Sequence, residues 1–259
     1  MRLPVSIETP LRTAAGLLIL PLGLVLCSMV AVVLALRGAS AERLHRIYVG
    51  FARLCLRVGA TRLEVHGADQ IEAGRAYVVV SNHESAWDPP CIVAALPGVI
   101  LRFVAKKAIT DIPIFGHALK ITGNVTVVRR DTARDVGSLH DRMAHRDPKV
   151  SMLFFAEGTR SRDGALHPFK MGAFATAIDS GLPILPVALA GTFAIWPKGT
   201  LRLRRSDVMI EVGAPIETQR FKFEERAELR DGTHRVMAEL RRRARQRLRA
   251  RGHDPAGTD

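Results

Sequence analysis

From Thr13 to Leu36 the chain runs for 24 residues without a charge. As a helix this stretch rises about 36 Å, enough to cross a hydrocarbon core of about 30 Å. Pro21 would kink it, which membrane helices tolerate. Arg2 and Arg12 before the run and Ala39-Ser40-Ala41 after it suit a cleavable signal peptide, but such a leader has only about 7–15 apolar residues. A core helix of a soluble domain would be shorter and broken by polar side chains. The pattern predicts a retained transmembrane or re-entrant anchoring helix over 13–36. The period then changes. Leu44, Ile47, Tyr48, Phe51, Leu54, Cys55 and Val58 share one face of a helix over 42–58, with Arg43, Arg46, Arg53 and Arg57 largely off it. That face suits either the lipid headgroup layer or the surface of a folded core.

From about residue 60, short β-rich runs alternate with helical patterns. The expected strands are Arg62–His66, Ala76–Ser81, Leu101–Ala105, Val125–Val128, Val150–Phe155, Ile184–Leu189 and Val208–Val212. The expected helices are Pro89–Leu96, Ile114–Ile121, Thr132–His145 and Met171–Ser180. This alternation predicts an α/β fold with a mixed, largely parallel central sheet flanked by helices, behind an N-terminal hydrophobic membrane-anchoring segment. Val78–Val80 and Met152–Phe155 are apolar throughout, as strands buried on both faces are. The chain divides into an anchoring segment 1–58, a catalytic domain 59–219, and a basic helix and tail 220–259.

Charge narrows the partners. Of 259 residues, 38 are Lys or Arg and 25 are Asp or Glu, a formal charge of +13. Such an excess suits anionic lipid, a phosphorylated substrate or nucleic acid. Aromatics at 5% are too few for base-stacking platforms, and no finger, Rossmann or RNA-binding signature is present, so no nucleic acid is expected. Residues 220–251 hold twelve Lys/Arg against five acids, read as a solvated basic helix that also faces anionic membrane lipid. Arginines after the apolar run outnumber Arg2 and Arg12, which places the main domain on the cytoplasmic side of the cell membrane. Cys27, Cys55 and Cys91 have no metal-type spacing, so neither a disulfide framework nor a Cys-based zinc site is expected.

Three polar clusters follow expected strands, where ligands bind in α/β sheets. The first is Asn82-His83-Glu84-Ser85-Ala86-Trp87-Asp88 before Pro89-Pro90. A carboxylate at a helix start can fold back onto the Nδ1 of an imidazole five residues earlier, leaving Nε2 as a base. The second is Lys106-Lys107, with Gly123 and Arg129-Arg130 beyond it. The third is Glu157-Gly158-Thr159-Arg160-Ser161, followed by Lys170. Gly158 permits close backbone approach, Thr159 and Ser161 offer hydroxyls, and Arg160 can grip a phosphate bidentately. Taken singly, each cluster is also what a structural turn or a surface salt bridge requires.

Together these residues resemble the glycerolipid acyltransferase family, and within it the 1-acylglycerol-3-phosphate acyltransferases. Four blocks occur in order over residues 76–192: Asn82-His83-x4-Asp88; Lys107 through Ile112-Pro113 and Phe115-Gly116 to Gly123 and Arg129; Phe155-x-Glu157-Gly158-Thr159-Arg160-Ser161; and Leu182-Pro183-Ile184-Leu185-Pro186-Val187. The resemblance implies acyl transfer from acyl-CoA or acyl carrier protein to the sn-2 hydroxyl of lysophosphatidate, giving phosphatidic acid. His83 would be the base and Asp88 its support. Lys107 and Arg160 would hold the phosphate. Glu157, Gly158, Thr159 and Ser161 would shape the glycerol site, with Asn82, Lys106, Arg129 and Lys170 in support. No metal and no cofactor beyond the acyl donor are implied. The rivals are another acceptor (glycerol 3-phosphate, a lyso-aminolipid or another lysophospholipid), a metal-dependent phosphoesterase, and a non-catalytic lipid-binding membrane protein.

Overall fold

The computed structural model describes residues 5–127, 143, 145–197 and 199–253. Seven strands form one sheet: β1 (Arg62–His66), β2 (Val78–Ser81), β3 (Ile100–Lys106), β4 (Val125–Val127), β5 (Val150–Phe155), β6 (Ile184–Ala190) and β7 (Asp207–Val212), in the order β1-β7-β6-β2-β5-β3-β4. Neighbours are parallel except β6 and β7, which is the mixed, largely parallel sheet that the alternating pattern predicts. All of the expected helix Thr132–His145 except Met143 and His145, the end of the strand at Val128, and Arg129 and Arg130 lie outside the described residues.

Two apolar layers follow from the strand period of two. Tyr77, Val79, Leu101, Leu153, Leu185 and Ile210 pack with the N-terminal helices. Val78, Val80, Met152, Phe154, Ile184 and Ala188 face the opposite way. The first layer is covered by α2 (Ala41–Gly59) and α3 (Asp88–Ala95), the second by α6 (Gly172–Ser180) and α8 (Arg226–Ala250). Among the described residues there are also the short α-helices α4 (Lys107–Thr110), α5 (Phe115–Ile121) and α7 (Thr192–Ile195), and two 3₁₀ turns, Ala68–Gln70 and Phe223–Glu225.

The apolar run forms α1 (Val5–Leu36), a helix that starts earlier than its uncharged stretch and carries Pro10 and Pro21 inside it. α1 lies against α2 and α5. The Leu203 N–H donates to Thr13 Oγ1 at 3.0 Å, and Arg12 donates to the Val58 carbonyl at 3.1 Å. Its outer face stays bare: Leu18 is 74% exposed and Leu22 61%. For α2 the structure selects between the two readings left open above. Leu44, Ala52 and Cys55 are buried against the domain, so the apolar face is a packing surface.

The stretch expected as a solvated basic helix is also different. α8 lies across β6 and β7, burying Met237, Leu240, Arg241, Ala244, Arg245 and Leu248 along one face. Its outer arginines largely serve the chain's own acids: Arg247 binds Glu211 at 2.7 Å and Arg251 binds Glu64. The C-terminal helix is therefore a layer of the α/β body.

β6 is followed by Gly191, whose φ of +104° puts an added Cβ 2.2 Å from the Asp207 carbonyl oxygen. Gly191→Ala should destabilise the fold by more than about 1 kcal/mol. Thermal unfolding in detergent should show a loss of at least about 2 °C, and an unchanged Tm would show that the turn relaxes freely.

Candidate active site

Three parallel strands, β2, β3 and β5, deliver the three polar clusters from their C-terminal ends to one rim. The loop after β2 winds around a fully buried carboxylate. Asp88 Oδ2 receives His83 Nδ1 at 2.7 Å, the Glu84 N–H at 2.7 Å and the Ser85 N–H at 2.9 Å. An oxygen that collects two backbone N–H groups is an acceptor, so Nδ1 is the donor and the Nε2 lone pair is left available. Asp88 opens α3, where a negative charge is favoured. Because Pro89 and Pro90 bring no N–H to that first turn, the donors come from the loop. Asp88 Oδ1 is buried without a partner among the described residues.

Distant segments hold the imidazole. Its ring stacks on Phe155 at 4.0 Å between centroids. The His83 N–H donates to Glu157 Oε1 at 2.8 Å, and the His83 carbonyl accepts from the Ser161 N–H at 2.7 Å. The other Glu157 oxygen accepts from the His167 N–H at 3.1 Å. Both oxygens of Glu157 are thus engaged by backbone, and burial pushes its carboxyl up to about 7. Ser161 Oγ donates to Asp163 at 2.8 Å. Asn82 straps the loop to β6, exchanging bonds of 3.0 and 2.9 Å with the Leu189 carbonyl and N–H. Trp87 is buried and donates from Nε1 to Thr61 Oγ1 at 3.0 Å.

A cavity of about 1050 Å³ starts at His83 and runs between the α1–α2 hairpin and the β3–α5 side of the sheet. Its long wall is apolar, with Leu24, Phe51, Phe103 and Leu119. The His83 end is polar and cationic, where Gly158, Thr159, Arg160, Lys106 and Lys170 line it. Among the described residues, the side chains of Arg160 and Lys170 make no hydrogen bond or ion pair. Lys107 is placed differently from the expectation. It starts α4, binds Asp111 at 2.8 Å and is 59% exposed, and it is Lys106 that reaches the cavity wall. Glu157 and Ser161 stand behind the wall as braces for His83. Among the described residues no three His, Cys, Asp or Glu side chains are grouped to hold a metal ion.

Two further participants lie beneath the loop. Glu84 accepts from Asn82 Nδ2 at 3.2 Å and from Arg241 Nε at 3.1 Å. Burial pushes its carboxyl up to about 8 against the pull of Arg241. A signal for Arg241 did exist in the sequence: it recurs at helical spacing with Met237, Leu240, Ala244 and Leu248, on the apolar stripe of α8.

The Acyltransferase family profile matches residues 62–190, the span that carries all three clusters. Residues 62–190 form an acyltransferase-family domain. It is 39% identical over 140 residues to a chloroplastic 1-acyl-sn-glycerol-3-phosphate acyltransferase of Brassica napus, covering 54% of this chain and 40% of that protein. It is 29% identical over 189 residues to the alpha 1-acyl-sn-glycerol-3-phosphate acyltransferase of Homo sapiens, covering 72% and 66%. The crystal structure of the 1-acyl-sn-glycerophosphate acyltransferase PlsC from Thermotoga maritima superposes with a TM-score of 0.78 at 25% identity, over 95% of this chain and 98% of that one. The chain spans 40% to 55% of the length of several plant relatives that it matches.

A carboxyl whose pKa is raised by folding keeps its proton longer in the folded than in the unfolded chain. Its contribution to stability is present below about 4.5 and is lost as pH climbs to about 7. Glu157→Gln should flatten that loss, read from denaturant unfolding at about pH 4.5 and about pH 7. An unchanged slope would show that Glu157 does not titrate in this window.

Proposed function

We propose that this acyltransferase moves a fatty acyl group from an acyl thioester, acyl-CoA or acyl carrier protein, to the sn-2 hydroxyl of 1-acylglycerol-3-phosphate. The supporting observation is the His83–Asp88 pair at the polar end of a long apolar cavity, beside Arg160 and Lys170, whose side chains make no hydrogen bond or ion pair among the described residues. The apolar wall suits an acyl chain and the cations suit a phosphate monoester. The relatives named for this activity support the same acceptor.

In this mechanism His83 Nε2 takes the proton of the acceptor hydroxyl as its oxygen attacks the thioester carbonyl. The Asp88 carboxylate holds the ring and stabilises the imidazolium. The tetrahedral intermediate collapses with loss of the thiolate, which receives the proton back from Nε2. An ester forms, a thioester breaks, and no acyl-enzyme is needed. General-base help of this kind is worth about 10²–10⁴ in rate, and holding the two substrates in contact supplies much of the remainder. Arg160 is assigned the acceptor phosphate, with Lys106 and Lys170 near it and Gly158 and Thr159 against the glycerol. Lys107, paired with Asp111, is further from this role.

The bare face of α1 is assigned to the membrane. Leu203 holds Thr13 and α5 lies against the same helix, which favours a helix seated alongside the domain in the near leaflet over one that leaves it to span. That arrangement lets a lipid acceptor reach the cavity from the bilayer, with the domain on the cytoplasmic face as the arginine distribution indicates.

The test is free-thiol release from long-chain acyl-CoA by detergent-purified protein, with and without lysophosphatidate. Release should require both the acceptor and His83, and His83→Ala should abolish it with the fold intact. Turnover in His83→Ala would defeat the reading, and release without acceptor would mark a thioesterase. Arg160→Ala should raise the acceptor KM by about 10- to 100-fold, the worth of a charge-assisted phosphate contact. An unchanged KM would move the phosphate elsewhere.

A further inference from the structure

The buried cations of α8 are not used by the mechanism above. Arg241 lies 157 positions from Glu84 in the chain, yet its Nε donates to Glu84 Oε1 at 3.1 Å, and both side chains are only 4% exposed. Its other arm donates to the Gly164 carbonyl. Glu84 belongs to the loop that carries His83. Gly164 closes the segment that begins at Glu157 and carries Arg160. One guanidinium therefore bridges the loop of the base and the loop of the phosphate-binding arginine. It comes from a helix outside residues 62–190, the span of the family profile.

The connection continues toward the reacting atoms. Glu84 Oε1 also accepts from Asn82 Nδ2, whose other bonds fix the loop to Leu189 of β6. The Glu84 N–H is one of the three donors on Asp88 Oδ2. Displacing the Glu84 side chain therefore acts on the backbone that binds the Asp88 carboxylate. Without Arg241 the buried Glu84 carboxyl loses its donor, and an unsatisfied buried acceptor is costly. The second buried arginine, Arg245, lies one turn further along α8 and adds to the positive field on Glu84. A fork of several donors can hold two loops at once, which a lysine ammonium on a flexible stem does less well.

We propose that Arg241 is a positioning residue for acyl transfer, fixing the His83–Asp88 pair through Glu84 while tying the 157–164 loop to it. This rests on the acyl-transfer reading, so the test carries one readout that needs no reaction. In the thiol-release assay, Arg241→Met should lower kcat by about 10- to 100-fold, the scale of an ångström-level misplacement. The acceptor KM should move by less than about threefold, because no phosphate contact is removed. Arg241→Lys keeps the charge but not the fork, and should fall between wild type and Arg241→Met. If Arg241→Met does not fold, Arg241→Lys carries the comparison, with activity expressed per folded protein. The second readout is the NMR signal of the His83 Nδ1 proton hydrogen-bonded to Asp88. It should be shifted or broadened in both variants. An unchanged Nδ1 signal, or kcat within twofold of wild type, overturns the proposal. A shifted Nδ1 signal in a protein whose wild type releases no thiol would defeat the acyl-transfer reading and leave the positioning role standing.

Discussion

Asp88 is an anion with no access to water, and the loop between β2 and α3 is shaped by the need to supply it with donors. A helix that begins with an acid usually offers its own first-turn N–H groups. Here two prolines occupy that turn, so the backbone from residue 84 to 85 must curl back over the carboxylate, and the imidazole of His83 completes the set. This curl exposes the carbonyl and N–H of His83 itself, which the fold answers from elsewhere: Glu157 accepts one and Ser161 donates to the other. Satisfying one buried oxygen thus draws in two residues of the loop after β5. The orientation of the imidazole follows from that chain of obligations.

The cavity shows the same economy at larger scale. The apolar faces of α1 and α2 serve at once as core, as roof and, on the outer side of α1, as uncovered surface. A site whose polar end lies at the strand termini and whose apolar length lies under these helices joins a charged headgroup region to a hydrocarbon region over a short distance. A glycerophospholipid has the same division.

Much of this was legible in the sequence because it depends on local spacing. The sheet, its parallel character and the return of Asp88 onto His83 follow from apolar runs, strand ends and a five-residue interval closed by prolines. What escaped depends on partners remote in the chain. Lys106 and Lys107 are adjacent, and only the break from β3 into α4 decides which one turns inward. Glu157 looks like a ligand for a polyol until His83 and His167 are seen to occupy both of its oxygens. Arg241 shares the apolar stripe of α8, which marks it as buried, but only the fold shows that Glu84 lies beneath it. The apolar face of α2 likewise did not reveal whether protein or lipid would cover it.

The long sequence separation of these contacts has a consequence for how the protein comes into being. α1 is synthesised before the sheet, so its apolar surface is exposed while most of the strands do not yet exist. β1 waits for β7, Thr13 for Leu203, and Glu84 for Arg241. Closing contacts of this span is the slow part of folding, and here it falls late in translation. With α1 seated in a bilayer as proposed, the nascent chain would meet lipid before it holds the geometry to act on it, and the bilayer would be part of the environment in which the α/β body closes.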